Sequence, residues 1–294
     1  MDEPKKDSCE TYISLRYEGE KRRYYDKESY YKDIADKKLI PRLIRKEKWY
    51  KYGKLHREDD PAWRLYGLNG ILLEERWFHN GNRYCKDGPW CRKWSGKGKL
   101  LEEWFSYEKY RKWNKNGLLI VDCEPNEHSS GVHYRKWDGN GQLLEDKYDG
   151  GSYHNWNKDG QLLQERVPIT SIKYKNLMRY REWARTGQLL KETYRNSKYE
   201  LHREDGPARR RWNHAGVLVL EKWYKNNNLH REDGPADREW TKKGKIMKEV
   251  WYFNGDMHRE DGPAYNIYHN AFNIASLYYC HGETYKPELT KRAL

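Results

Sequence analysis

The sequence is poor in the residues that build ordinary cores. Its 294 residues include 4 Phe and 4 Met, and the hydrophobic share is 36%, which argues against a thick apolar interior. Nothing approaches the roughly 18 consecutive apolar residues of a membrane-crossing helix, and Met1-Asp-Glu-Pro-Lys-Lys6 lacks the apolar stretch of a secretory signal. A reducing cytoplasmic setting is therefore expected, with no secretion. Cysteine is scarce and odd in number (Cys9, Cys85, Cys91, Cys123, Cys280), with no Cys-x-x-Cys pair, which argues against a disulfide framework or a structural zinc site. Cys85 and Cys91, flanking Lys-Asp-Gly-Pro-Trp, read as packing residues. A glycine-rich phosphate loop and an Asp-Phe-Gly are also missing, so the His-Arg-Glu-Asp runs are no kinase catalytic loop.

Tyr and Trp are abundant instead, at 26 and 14 residues. Such rings, apolar with one polar edge, suit half-exposed sheets. Lys plus Arg number 58 against 45 Asp plus Glu, a net charge of +13. That excess favours phosphate, anionic lipid or an acidic protein as partner, although the interspersed signs also fit a solvated surface.

The chain repeats itself. Leu201-His-Arg-Glu-Asp-Gly-Pro-Ala208 recurs from Leu229 and, with Met for Leu, from Met257, while Leu55 begins a copy with Asp60 in place of the glycine. Pro207, Pro235 and Pro263 are 28 residues apart, as are Pro61 and Pro89. A second signature centres on glycines 70, 98, 117, 141, 160, 187, 216 and 244. Each has an aromatic four residues earlier and an acid five residues later. Asn69, Asn116, Asn140 and Asp159 precede four of these glycines, and Asn-Gly or Asp-Gly between patterned segments signals a two-residue hairpin turn.

Reflection through that turn gives a pairing scheme. The aromatic meets the residue three after the glycine, as in Trp94 with Leu101, Trp183 with Leu190 and Trp240 with Met247. Two positions outward, basic residues meet acids: Arg64 with Glu75, Arg92 with Glu103, Arg111 with Asp122, Arg135 with Asp146, Arg181 with Glu192, Arg210 with Glu221 and Arg238 with Glu249, with His154 replacing Arg opposite Glu165. Alternation puts these pairs on the face of the aromatics. Further out, Ala62, Ala208 and Ala236 face Trp77, Trp223 and Trp251. A second turn, at Asn80-Gly81, Asn226-Asn227, Asn254-Gly255 and, more weakly, Tyr52-Gly53, sets Trp49, Trp223 and Trp251 opposite His56, His230 and His258. Asp-Gly-Pro supplies a third turn.

The expected fold is all-β, an elongated single-sheet meander of antiparallel hairpins over residues 46–270. Residues 1–45 form a basic, Tyr-rich segment with a short helix expected near Ile34 to Ile44. Residues 271–294 form a degenerate cap and tail, because Phe272 stands where a ninth glycine belongs.

These residues resemble the MORN-type (membrane occupation and recognition nexus) repeats, in the variant carrying the Leu-His-Arg-Glu-Asp-Gly-Pro-Ala block that occurs in tandem repeat proteins of large DNA viruses. The resemblance covers roughly residues 46 to 270 and is strongest over 201 to 264. It implies a β-hairpin array without catalytic apparatus, and roles in protein or membrane association.

The residues with candidate chemistry also have structural roles in the repeat. His56 and Asp59, His202 and Asp205, His230 and Asp233, and His258 and Asp261 have metal-ligand character, but each His already has a partner in the register and no third ligand recurs in sequence. Arg–acid pairs repeated in every unit neutralise charge, whereas catalytic carboxylates break symmetry. Neither an enzyme nor a cofactor is expected. The uncommitted positive charge includes Lys21, Arg22, Arg23, Arg42, Arg45, Lys46, Lys286, Lys291 and Arg292, which become the partner-binding candidates. The expected function is a scaffold docking to other proteins, plausibly a minor capsid or assembly component of a virion. A peripheral module on anionic lipid is the alternative, a nucleic-acid binder the third reading, and no small-molecule substrate is expected.

Overall fold

The computed structural model describes residues 8–17, 20–24, 43–67, 69–126, 131–149, 151–169, 176–270 and 272–286, with backbone alone through residue 45. The chain forms two compact units, Met1–Leu143 and Leu144–Leu294. Among the described residues the protein is all-β, without a helix, built of antiparallel hairpins in an open sheet.

In the first unit, strand Glu20–Tyr24 pairs with Ser8–Tyr17, which pairs with Leu43–Lys51. From there the meander runs in chain order through Trp63–Tyr66, Leu72–Arg76, Cys91–Trp94, Leu100–Trp104, Tyr110–Trp113, Leu119–Pro125 and Val132–Trp137. The N-terminal segment thus extends the sheet. The helix expected near Ile34 to Ile44 falls mostly on residues outside the described ones; Leu43 and Ile44, at its end, are strand. The second unit repeats the meander from Leu143–Tyr148 to Phe272–Leu277.

The repeat glycines lie in the left-handed region, from φ +76° at Gly70 to +91° at Gly141. The two-residue turn expected around them does not form. In the hairpin of Gly98, Ser95 N–H donates to Lys99 O at 2.8 Å and Gly98 N–H to Ser95 O at 2.9 Å. That is a three-residue loop closed by a left-handed glycine. Trp94 then lies opposite Leu100 instead of Leu101, and Leu101 is the extra residue of a β-bulge. The same shift displaces Leu190 from Trp183 and Met247 from Trp240. The longer loop moves the register by one residue and the bulge moves it back, so positions further out pair as a two-residue turn requires.

Two-residue turns occur at the opposite end of the unit. Tyr52-Gly53, Asn80-Gly81, Asn226-Asn227, Asn254-Gly255 and His281-Gly282 each have positive φ at both positions, the signature of type I′. They close short hairpins such as Tyr224–Lys225 with Asn228–Leu229.

Among the described residues the core is thin. All fourteen Trp are half-buried, and Val250 is the largest side chain among those fully buried in the described residues. Ala62, Ala208, Ala236 and Ala264 are completely buried. Each lies where the chain returns from the block, its carbonyl accepting from Trp49, Tyr194, Trp223 or Trp251 at 2.7–2.9 Å; a larger side chain has no room there.

Candidate functional site

Within each unit the arginines and acids of the repeat assemble into a row crossing the strands. Within the first unit the register places Glu47, Arg64, Glu75, Arg92, Glu103, Arg111, Asp122 and Arg135 side by side on successive strands. Within the second it runs Asp146, His154, Glu165, Arg181, Glu192, Arg210, Glu221, Arg238, Glu249 and ends on Asn266. Charge alternates along both rows, so most members have neighbours on two sides. The expected Arg135–Asp146 register straddles the division between units; within the first unit Arg135 bonds Asp122.

Side-chain geometry follows the row. Arg92 donates through Nε to Glu103 at 3.0 Å and through Nη1 to Glu75 at 3.3 Å. Arg111 donates to Asp122 at 3.2 Å, Arg181 to Glu192 at 2.8 Å, and Arg210 and Arg238 to Glu221 and Glu249 at 3.1 Å each. Arg64 lies opposite Glu75 but donates to Asp60, at 3.0 Å. Asp60 is the residue that replaces the block glycine in that copy, and it diverts the guanidinium. Asp122, Glu192, Glu75 and Glu221 are only 4–8% exposed, so their charge needs the guanidiniums beside them. Burial raises the Glu75 pKa against the pull of Arg92 and Arg64. At Arg92 burial opposes the charge, yet the bonds to Glu103 and Glu75 outweigh it and the pKa is raised.

The other face carries a second row that the glycine-centred scheme did not include. Lys93 bonds Glu102 at 2.8 Å, Lys191 bonds Glu182 at 2.6 Å and Lys248 bonds Glu239 at 2.6 Å. The sequence signal was there, in opposite charges five before and four after glycines 98, 187 and 244. Ion pairs therefore lie on both faces of the strands.

Each block histidine links two successive short hairpins. His56, His202, His230 and His258 accept through Nδ1 from the backbone N–H of Asn80, Asn226, Asn254 and His281, at 3.0–3.2 Å. Their own N–H groups donate to the carbonyls of Trp49, Tyr194, Trp223 and Trp251. The acceptor role of Nδ1 puts the proton on Nε2. The block arginines stack on the same aromatics: Arg57 on Trp49, Arg203 on Tyr194, Arg231 on Trp223 and Arg259 on Trp251, at 4.1–4.4 Å from the ring centroid. Arg203, Arg231 and Arg259 also donate to Asp205, Asp233 and Asp261. In these three copies the block Asp is thereby tied to Arg, away from the His with which metal binding was weighed. A Cβ at Gly206, Gly234 or Gly262 lies 2.9–3.1 Å from that guanidinium carbon, which is why the block contains glycine.

Loop-first residues were also overlooked. Ser95, Asn114, Asp138, Asn157 and Asn213 each accept two backbone N–H bonds across the three-residue loop. A Ser, Thr, Asn or Asp three before six of the eight glycines was the available sign.

No family model and no curated protein matches this chain. Among solved structures, it is similar to TcdB2-TccC3 without its hypervariable C-terminal region, at 12% identity and a TM-score of 0.18, covering 88% of this chain and 16% of that one. A second TcdB2-TccC3 structure matches at 12% identity and the same score, with 82% and 15% covered. The chain thus spans about one sixth of their length.

The basic partner-binding candidates do not gather into one described cluster. By backbone register Lys21, Arg22 and Arg23 lie opposite Arg16, Leu15 and Ser14, and Arg45 lies between Ile13 and Tyr66. Lys46 sits 5.9 Å from the Trp63 ring centroid. Lys286 is exposed, while Arg42, Lys291 and Arg292 lie outside the described residues. Cys91 is buried, and burial together with Glu74 pushes its thiol up to about 12, which suits packing and makes it a poor nucleophile.

Proposed function

We propose that the protein is a non-enzymatic scaffold that binds protein partners. The observation carrying this reading is the commitment of its ionisable groups: the row arginines and acids, the block His, Arg and Asp recur from repeat to repeat in the same structural contacts. Catalysis needs an asymmetric constellation, and the repeat spends these groups symmetrically. A docking surface is offered by strand Phe272–Leu277, which pairs with Tyr265–His269 alone among the described residues and leaves Phe272 76%, Ile274 64% and Leu277 48% exposed. An unpaired edge with apolar side chains is a site for strand addition by another chain. The resemblance to viral MORN-type repeats supports a place in a viral assembly.

The test compares wild-type protein with Phe272→Ser/Ile274→Ser/Leu277→Ser in crosslinking and co-purification from the native source, beside sedimentation with neutral and acidic liposomes. Loss of a reproducible protein partner in the folded triple variant supports docking at this edge. Partner binding untouched by the variant rejects this edge, and binding to acidic liposomes without a protein partner replaces the scaffold reading with a membrane one.

A further inference from the structure

The repeat breaks its pattern at one turn in a chemically pointed way. The turns whose backbone meets a block histidine read His79-Asn80-Gly81, Lys225-Asn226-Asn227 and Phe253-Asn254-Gly255, and then Cys280-His281-Gly282. His281 takes the left-handed position, φ 48°, that Asn holds in the other three. Two adjacent residues of metal-ligand type thus stand where the earlier copies hold at most one, His79.

The fold brings both to a third. Donor atoms of His258, Cys280 and His281 lie within 4.8 Å of one another, and the His258 and His281 rings stack at a centroid distance of 4.3 Å. The separation between His258 and Cys280 hides the set from any local motif. The first copy also places His79 against His56, at 4.7 Å, but His79 stands at the position of Cys280 and Asn80 at that of His281, so the set there has two members.

We propose that His258, Cys280 and His281 form a binding site for a divalent transition-metal ion of the Zn²⁺ class. Two imidazoles and a thiolate are the donor set a borderline-soft ion selects over Mg²⁺ or Ca²⁺. A tetrahedral ion with bonds of ~2.0–2.3 Å keeps its ligand atoms about 3.5 Å apart, so the donors must close by about an ångström. His281 is exposed and the other two are only half-buried, which leaves freedom for that movement. Glu260, whose Oε1 is 3.9 Å from His258 Nε2, can take the fourth position or orient the imidazole from outside.

Loading has a cost and a pH dependence. A neutral imidazole has one lone pair, and His258 uses it to accept from His281 N–H at 3.2 Å; an ion bound at His258 replaces that bond. As the metal–sulfur bond forms, the Cys280 thiol gives its proton to solvent, so affinity rises with pH.

The full chain, reduced and stripped with chelator, is titrated with Co²⁺ and the ion displaced with Zn²⁺. The expected result is one equivalent of Co²⁺ with a sulfur-to-cobalt charge-transfer band. The band disappears in Cys280→Ser, and binding weakens by at least about tenfold in His281→Asn, which restores the Asn-Gly turn of the preceding copy and so keeps the fold. Phe253→Cys/Asn254→His, placed beside His230, gains a second equivalent. Absence of the thiolate band in wild type, its persistence in Cys280→Ser, or a folded graft that binds no second ion overturns the proposal.

Discussion

His230 accepts a 3.1 Å hydrogen bond through Nδ1 from the backbone N–H of Asn254, 24 residues further on and in the next turn. The bond joins consecutive repeats, each of which has too little apolar area to stand alone. Replacing His230 with Ala removes the acceptor of the Asn254 N–H in an exposed turn, where water can replace it, with an expected loss of about 0.5–1.5 kcal/mol. Gln, which can present an acceptor, should lose less. Urea unfolding of the two variants measures the difference.

Arg238 bonds Glu249 at 3.1 Å and lies 4.0 Å from Glu221. Glu221 is 8% exposed and keeps Arg210, whereas the other neighbour of Glu249 in the row is the neutral Asn266. Arg238→Met is expected to destabilise by about 1–3 kcal/mol, and Glu249→Gln in that background should recover part of it. Exposed Lys243→Met serves as the control, changing stability by no more than about 0.5 kcal/mol. Denaturation midpoints of wild type and the three variants form the comparison.

The pairing of Arg238 with Glu249 was legible in the sequence, and that of Trp240 with its neighbour was not. Both follow from one glycine. A three-residue loop plus one bulged residue leaves the same register, beyond the bulge, as a two-residue loop without a bulge, so residue parity alone cannot separate them. Asn69, Asn116 and Asn140 suggested a type I′ turn by identity, but positive φ falls on their glycines alone. What separates the cases is Asn213 or Ser95 at the loop's first position, whose side chain accepts from two backbone amides. The sharing of buried Asp122 between Arg111 and Arg135 was hidden for another reason. It depends on strands from different repeats lying next to each other, which the reflection inside one hairpin does not address. The trio of His258, Cys280 and His281 was hidden in the same way.

Gly234 lies beneath the Arg231 guanidinium, and a Cβ there meets Cζ at 3.0 Å. Ala at this position is expected to push Arg231 off the Trp223 ring, costing about 0.5–2 kcal/mol for the lost cation–π contact. The same Ala in an Arg231→Ala background should cost much less, because nothing remains to displace. A double-mutant cycle by thermal or urea unfolding reads the coupling directly; a cost unchanged by removing Arg231 rejects the steric account.

Glu75 and Glu102 respond to pH in opposite directions. The Glu75 pKa is raised in the fold, by burial first, so its contribution to stability is complete below the unfolded carboxylate value and is lost as pH rises through the raised one. Glu102 has a lowered pKa: burial opposes ionisation, and the bonds from Lys93 and Trp104 outweigh it. Its contribution is complete above the unfolded value and is lost as pH falls through the lowered one. At neutral pH, Glu102→Gln should therefore destabilise, by less than about 1 kcal/mol because solvent still reaches the half-buried pair and screens it. Glu75→Gln should be neutral or stabilising there, since it removes a carboxylate that burial penalises. Below the carboxylate range both differences should vanish. Unfolding free energies of the two variants across an acid-to-neutral series check the signs, and a Glu75→Gln protein markedly weaker than wild type at neutral pH contradicts the assignment of burial as the larger effect.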